Sequence, residues 1–194
     1  MKRIVPPSAA LRTAFYKMAY EYKDADDRRY YKEIVKDGFD YEDYVTRLHR
    51  YSLGIDLEEG LVPYTTFWMI DDSDGCGAGG MGLVRGRFGA GGASGMTIYG
   101  VSRLRHSLNE QSRKEGGHIG YDVPPSLRNA GNATELLRQT LAKAKAIGIM
   151  RVLMTCDAEN AASARVIEKN GGTLENQVIS DYTKKIVNRY WINC

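Results

Sequence analysis

Two rhythms of apolar and polar positions run through the chain and alternate with one another. Ile4-Val5 before Pro6 predicts a short first strand. Leu11, Phe15, Met18 and Tyr22 then recur at helical spacing behind Ser8, which predicts an amphipathic helix capped by that serine. Asp24 to Lys36 is charged, with Tyr30, Tyr31, Ile34 and Val35 set among the charges. It predicts a short surface helix, or in a second reading a lid facing a substrate, ended by Gly38. Asp40, with Asp43 three residues on, marks another helix start, and Tyr44, Val45, Leu48 and Tyr51 form its apolar face. Thr65 to Ile70 is β-branched, aromatic and apolar, a strand ended by the acidic turn Asp71 to Gly75.

The second half carries the clearest pattern. A short apolar run, Ile119 to Val123, is stopped by Pro124-Pro125 and a small-residue turn. Ala133, Leu136, Leu137, Thr140, Leu141, Ala144 and Ile147 then make one long helical stripe, closed at Gly148. Arg151 to Cys156 reads as the next strand, expected to run parallel to the Ile119 strand because a helix connects them. Asn160 to Lys169 predicts a short helix that Asp157 caps, Asn170-Gly171-Gly172 a turn, and Val178-Ile179 with Val187 to Ile192 a terminal hairpin. Between the halves, Gly75 to Gly100 is glycine-rich and reads as an insertion between two strands. Met81 to Val84 and Met96 to Tyr99 compete there as the next strand, and the pattern does not choose between them.

Composition narrows the class. The 194 residues are 43% hydrophobic and 26% charged, most simply one domain spanning 1–194 with a core that needs no metal or disulfide. Cys76, Cys156 and Cys194 are odd in number and widely spaced, which suits a reducing compartment and argues against zinc. The opening residues lack a long apolar run and are broken by Pro6-Pro7, so they fail as a signal peptide. No later run is long enough to span a bilayer, and a cytoplasmic protein with no membrane partner is expected. A net charge of +3 and a pI near 8.7, with both signs interleaved, are no nucleic-acid footprint. His49 stands alone on its helix and is given no chemistry.

The turn after Val123 is where chemistry is concentrated. Arg128-Asn129-Ala130-Gly131-Asn132-Ala133 is small enough for its N–H groups to approach an anion, and the helix that follows points its positive end at the same place. Arg128-x-x-Gly131-x-Ala133 resembles the (Gln/Arg)-x-x-Gly-x-(Gly/Ala) signature of the GCN5-related N-acetyltransferases. Tyr121-x-Val123-x-Pro125 upstream, and Asn160-x-x-Ser163-Ala164 with Asn170-Gly171-Gly172 downstream, are similar to that family's motifs in order and spacing. Thr66-Phe67-Trp68, Arg105-His106 with Asn109, and Arg189 to Ile192 resemble a subgroup of uncharacterised predicted acetyltransferases.

The resemblance implies an α/β (α+β) fold: a mixed, mostly antiparallel sheet with a central splayed parallel strand pair and helices on both faces. It implies acetyl-CoA as cosubstrate, held through main-chain groups of Tyr121, Asp122 and Val123 along the pantetheine arm. Arg128, Asn129, Ala130, Gly131, Asn132, Ala133 and Thr134 would hold the pyrophosphate, with Asn160 and Ser163 beside them. The expected activity moves acetyl to a primary amine, of a small molecule or a peptide, by direct attack in a ternary complex without a metal. A homodimer is left open.

Three departures bear on this. Many members place a tyrosine seven residues beyond the asparagine as acid to the thiolate, but Ile167 stands here; Gly171-Gly172 replaces Gly-Phe; and Asn129-Ala130 replaces a commoner basic pair. His106 and His118 flank the cofactor strand and are the candidate bases, set against a purely local structural role. Cys156 in its strand reads as a small core residue. A non-catalytic module of the same fold that senses acyl-CoA or binds a partner is the alternative, and a nucleotide-binding protein of another class a third.

Overall fold

Strand β1 (Lys2–Val5) pairs antiparallel with β2 (Tyr64–Asp71), β2 with β3 (Gly100–Arg105), and β3 with β4 (Ile119–Asp122). The computed structural model describes residues 1–27, 29–71, 73 and 95–194. Helices α1 (Arg12–Asp24), α2 (Tyr31–Ile34) and α3 (Tyr41–Ser52) lie between β1 and β2, and α4 (Glu110–Lys114) precedes β4. Helix α5 (Asn132–Ala146) links β4 to β5 (Arg151–Asp157). After α6 (Ala161–Lys169), β6 (Thr173–Ile179) and β7 (Ile186–Asn193) close a second antiparallel sheet in the order β5-β7-β6.

Period-two alternation in β2 feeds two cores. Phe67 and Met69 pack with Leu136, Leu137 and Ala144 of α5, whereas Trp68 and Ile70 pack with Phe15, Met18 and Tyr44 of α1 and α3. Helices therefore cover both faces of the first sheet. Phe15 stacks on Trp68 with ring centroids 5.4 Å apart, an arrangement worth about 1 kcal/mol beyond the buried area. On the opposite face Ser102 and Thr140, both buried, share a 2.8 Å hydroxyl contact that joins β3 to α5.

Several expectations change in the structure. The side chain of Ser8 makes no cap bond. Its carbonyl accepts from Leu11 N–H at 3.0 Å and from the Tyr41 hydroxyl at 2.8 Å, and a 3-10 turn over Ala9–Leu11 leads into α1. Asp40 caps α3 as expected, accepting from Asp43 N–H at 2.9 Å. The charged segment after Asp24 is a surface helix only over the single turn of α2, which buries none of its residues, and Tyr30 ahead of it is only 1% exposed. Met96 to Tyr99 is irregular, with Met96 and Ile98 in the core, and the strand begins only at Gly100; Met81 to Val84 lies outside the described residues. β3 escapes the apolar pattern because Ser102 and two arginines occupy it; tertiary neighbours satisfy Ser102 and Arg105. Ile147, expected in the α5 stripe, is exposed because the helix has already ended at Ala146.

The two sheets meet where β4 and β5 face each other, each the edge strand of its own sheet. They do not form a ladder. His118 N–H donates to the Leu153 carbonyl at 2.7 Å, and Leu153 N–H donates back to the His118 ring at 2.8 Å. Gly117, at φ +59, lets the chains come this close: a Cβ there would overlap the Leu153 carbonyl oxygen. Gly117→Ala should therefore cost roughly 2–4 kcal/mol, adding left-handed strain to overlap with main chain. Urea unfolding measures it, and a loss below about 0.5 kcal/mol, the range of a neutral surface change, would show that the junction is not tight.

Candidate active site

Beyond the His118–Leu153 junction the two edges part. Along Ile119–Asp122 the side of β4 turned away from β3 has no strand partner among the described residues, which leaves its main-chain groups to a ligand that can hydrogen-bond like a strand. Tyr121, Asp122 and Val123 lie on or just after this edge, where the family resemblance puts them.

At the end of the edge the chain turns through Pro125–Leu127 into the N-terminus of α5. Asn129 (φ +60) and Gly131 (φ +77) both take left-handed conformations. Among the described residues, the N–H groups of Asn129, Ala130, Gly131, Asn132, Ala133 and Thr134 meet no acceptor; the first helical bond is Glu135 N–H to the Gly131 carbonyl, 3.1 Å. These donors and the positive end of a fifteen-residue helix converge on one exposed turn, a made anion site. Arg128 Nε is tied to the Val123 carbonyl at 3.1 Å, which fixes its guanidinium beside the turn.

Two neighbours of this turn had no local signal. Lys2 Nζ donates to Asn132 Oδ1 at 2.5 Å, bringing an ammonium to the first turn of α5, while Asn132 Nδ2 holds the Leu127 carbonyl at 2.7 Å. Glu21 of α1 accepts from Ser126 N–H at 2.7 Å. Only folding brings residues so far apart in sequence together.

Asn160 caps α6, accepting from Ser163 N–H at 3.0 Å, so its carbonyl oxygen is committed to the helix. The Ser163 hydroxyl meets the Tyr121 hydroxyl at 2.8 Å, a side-chain bridge from β4 to α6. Burial raises the pKa of Tyr121 and, beside it, of Cys156, so both are neutral at pH 7. Ile167 is completely buried and packs against Gly172, where a Cβ would overlap its side chain. The two departures are thus coupled: the position seven beyond Asn160 faces the core and presents nothing to the opening.

The two histidines differ from the expectation of a base. The Nδ1 lone pair of His118 is taken by Leu153 N–H, so its ring holds the strand junction and keeps no free acceptor nitrogen. Its pKa is lowered to about 4 by burial, with Arg113 and Arg105 adding to the shift. His106 contacts Thr65 Oγ1 through Nε2 at 2.8 Å, and burial lowers its pKa too. It follows β3 at the closed end of the junction, away from the anion turn. Among the described residues no group of His, Cys, Asp and Glu is arranged to hold a metal, and no helix is long and apolar enough to cross a membrane.

On the α1–α3 side of the first sheet two cavities of about 260 and 350 Å³ adjoin and share Tyr64 and Arg103. Arg29 and Tyr30, from the segment before α2, line the smaller one and reach Asp122 at the end of β4. Arg29 forms an ion pair with it, and the Tyr30 hydroxyl donates to it at 2.9 Å. The segment expected as a surface helix or lid therefore reaches the end of the open β4 edge.

Comparison with known proteins gives one consistent picture. The family model described as Acetyltransferase (GNAT) domain matches residues 5–173. No curated protein matches the sequence. Among solved structures, an acetyltransferase from Salmonella typhimurium that modifies the N-terminal serine of ribosomal protein L7/L12 superposes with a TM-score of 0.62 at 15% identity, over 100% of this chain and 95% of that one. RimJ of Mycobacterium smegmatis, in complex with CoA-disulfide, gives 0.60 at 14% identity, over 100% and 82%. A spermidine N-acetyltransferase chimera of Vibrio cholerae SpeG and hSSAT gives 0.58 at 12%, over 99% and 95%. At these identities the likeness is one of fold.

The His118 junction has a pH signature. Its ring is neutral in the fold down to about pH 4 but titrates near 6.5 when unfolded, so its contribution is complete above pH 6.5 and is lost as the pH falls towards 4. With solvent screening of a half-exposed ring the loss is on the order of 1–2 kcal/mol. Denaturant unfolding at pH 7 and pH 5 should show a smaller acid loss in His118→Gln than in the parent; equal losses would remove the assignment.

Proposed function

Since the chain belongs to the GNAT acetyltransferase domain family, we propose that it transfers the acetyl group of acetyl-CoA to a primary amine by direct attack in a ternary complex. The observation that carries the proposal is the run of unclaimed amides from Asn129 to Thr134, continuous with the unpaired edge of β4. A pyrophosphate needs a donor set as good as the water it leaves, and helix N-terminal amides are oriented before the ligand arrives. Arg128 and Lys2 add positive charge there, and the main chain of Tyr121 to Val123 takes the arm as a strand would. The amine acceptor is supported by what is stated of the similar folds, one acting on a protein N-terminus and another on spermidine. Cys156 and Cys194 are free thiols, which fits a cytoplasmic setting.

Little further chemistry is required of the protein. Holding a neutral amine against the thioester supplies about 10⁵-fold or more by proximity alone, so no dedicated base is needed. The proton for the departing thiolate comes, in this reading, from Tyr121, whose neutral hydroxyl bridges the opening to Ser163 in place of the acid that Ile167 does not provide.

Calorimetry with acetyl-CoA and a thiol-release assay over a panel of amines test this directly; no binding would reject it. Ala130→Glu sets a carboxylate on the exposed turn and should weaken acetyl-CoA by roughly tenfold or more while leaving thermal unfolding unchanged. Tyr121→Phe should lower kcat by about 10–100-fold at unaltered acetyl-CoA affinity. Binding without turnover of any amine would instead favour an acyl-CoA sensor.

A further inference from the structure

Arg103 is a cation with no carboxylate partner among the described residues. It lies half-buried on β3, 5.8 Å from the centre of the Tyr30 ring. The acids that line the smaller cavity with it are already engaged. Glu33 pairs with Lys36 at 2.9 Å and Arg47 at 3.3 Å, and Glu58 accepts from the Tyr51 hydroxyl at 3.1 Å. Asp122 is taken by Arg29 and Tyr30. Arg105, next on the same face of β3, is spent on the carbonyls of Gly116 and Gly117 at 3.1 and 3.0 Å, so its charge is not cancelled either.

Around Arg103 stand further unused polar groups. The hydroxyls of Tyr44 and Tyr64, both at the cavity wall, make no hydrogen bond among the described residues, and burial keeps them protonated, hence donors. Thr66, directly across the β2–β3 ladder from Arg103, is 3% exposed with Oγ1 unpartnered. A half-buried guanidinium that repels its neighbour Arg105 and has hydroxyls and a ring, but no carboxylate, around it costs stability unless an anion arrives. On the other side Arg103 faces Gly120 of β4 in register, about 5 Å away in strand spacing, and nothing lies over Gly120. An anion seated on Arg103 thus lies next to the edge assigned above to the thioester arm.

We propose that the acceptor is an amine bearing a carboxylate, of the size of a single amino acid, with the carboxylate clamped by Arg103 and the Tyr44 and Tyr64 hydroxyls while the amine projects over Gly120. This rests on the acetyl-transfer reading. A planar guanidinium meets a carboxylate through two parallel bonds, and the cavities of about 260 and 350 Å³ suit a molecule of that size. A polyamine would set a cation against Arg103, which no carboxylate among the described residues neutralises, so spermidine is a poor fit.

The test has a kinetic and an equilibrium arm. In thiol release, free L-amino acids should be consumed with KM at least tenfold below that of their C-terminal amides and of spermidine. Arg103→Gln should raise the KM for the free acids tenfold or more and leave acetyl-CoA affinity unchanged, with Arg103→Lys recovering part of it. Independently of turnover, some members of the full set of N-acetyl-L-amino acids should raise the thermal midpoint of the parent protein but not of Arg103→Gln. Equal use of amides or spermidine, or no carboxylate-dependent shift anywhere in the set, overturns the assignment. Absence of acetyl-CoA binding would count against the acetyl-transfer reading alone, because the thermal shift still reports on Arg103.

Discussion

Two sheet edges joined at one short junction define this molecule. β4 and β5 are each the last strand of an antiparallel sheet, and an unpaired edge is ordinarily zipped to a neighbour or covered. Here they touch through His118 and Leu153 and then separate. The junction needs a residue without Cβ at Gly117 and a neutral ring at His118, so the same contact that joins the sheets also stops them from merging. The expected central pair is present as two facing edges, splayed far enough that no ladder forms between them.

From that opening the site divides by face. Alternation along β4 sends Ile119 and Tyr121 towards α5 and α6, where the anion turn lies, and Gly120 and Asp122 towards α1 and α3, where the arginine-lined cavities lie. Helices on both faces, a packing consequence of a strand that is apolar on both sides, thus give the opening two chemically different walls.

The departures from the family pattern also resolve into packing. Ile167 and Gly172 are one unit in the core, the isoleucine filling the space that a larger residue at 172 would claim. The loss of basic residues at Asn129-Ala130 is offset from a distance by Lys2, whose ammonium reaches Asn132 from the first strand. Asn160 and Ser163 keep their motif spacing because one caps α6 and the other receives the cap, a local demand independent of any ligand.

By itself the sequence determined what depends on neighbours along the chain: α1, α3 and α5, strands β1, β2, β4 and β5, the Asp40 cap, and the small-residue turn whose amides stay free because a helix begins there; the cap of α6, expected from Asp157, falls to Asn160. Local spacing suffices for these, since helical and strand periods and capping bonds span only a few residues. Tertiary structure alone decided the rest. β3 was illegible because its Ser102 is satisfied by Thr140 and its Arg105 by the Gly116 and Gly117 carbonyls. Tyr30 read as surface because nothing near it in sequence foretells Asp122. The roles of His118, Lys2 and Arg103 are likewise set by contacts across the fold, where burial and charge, not spacing, decide what a side chain does.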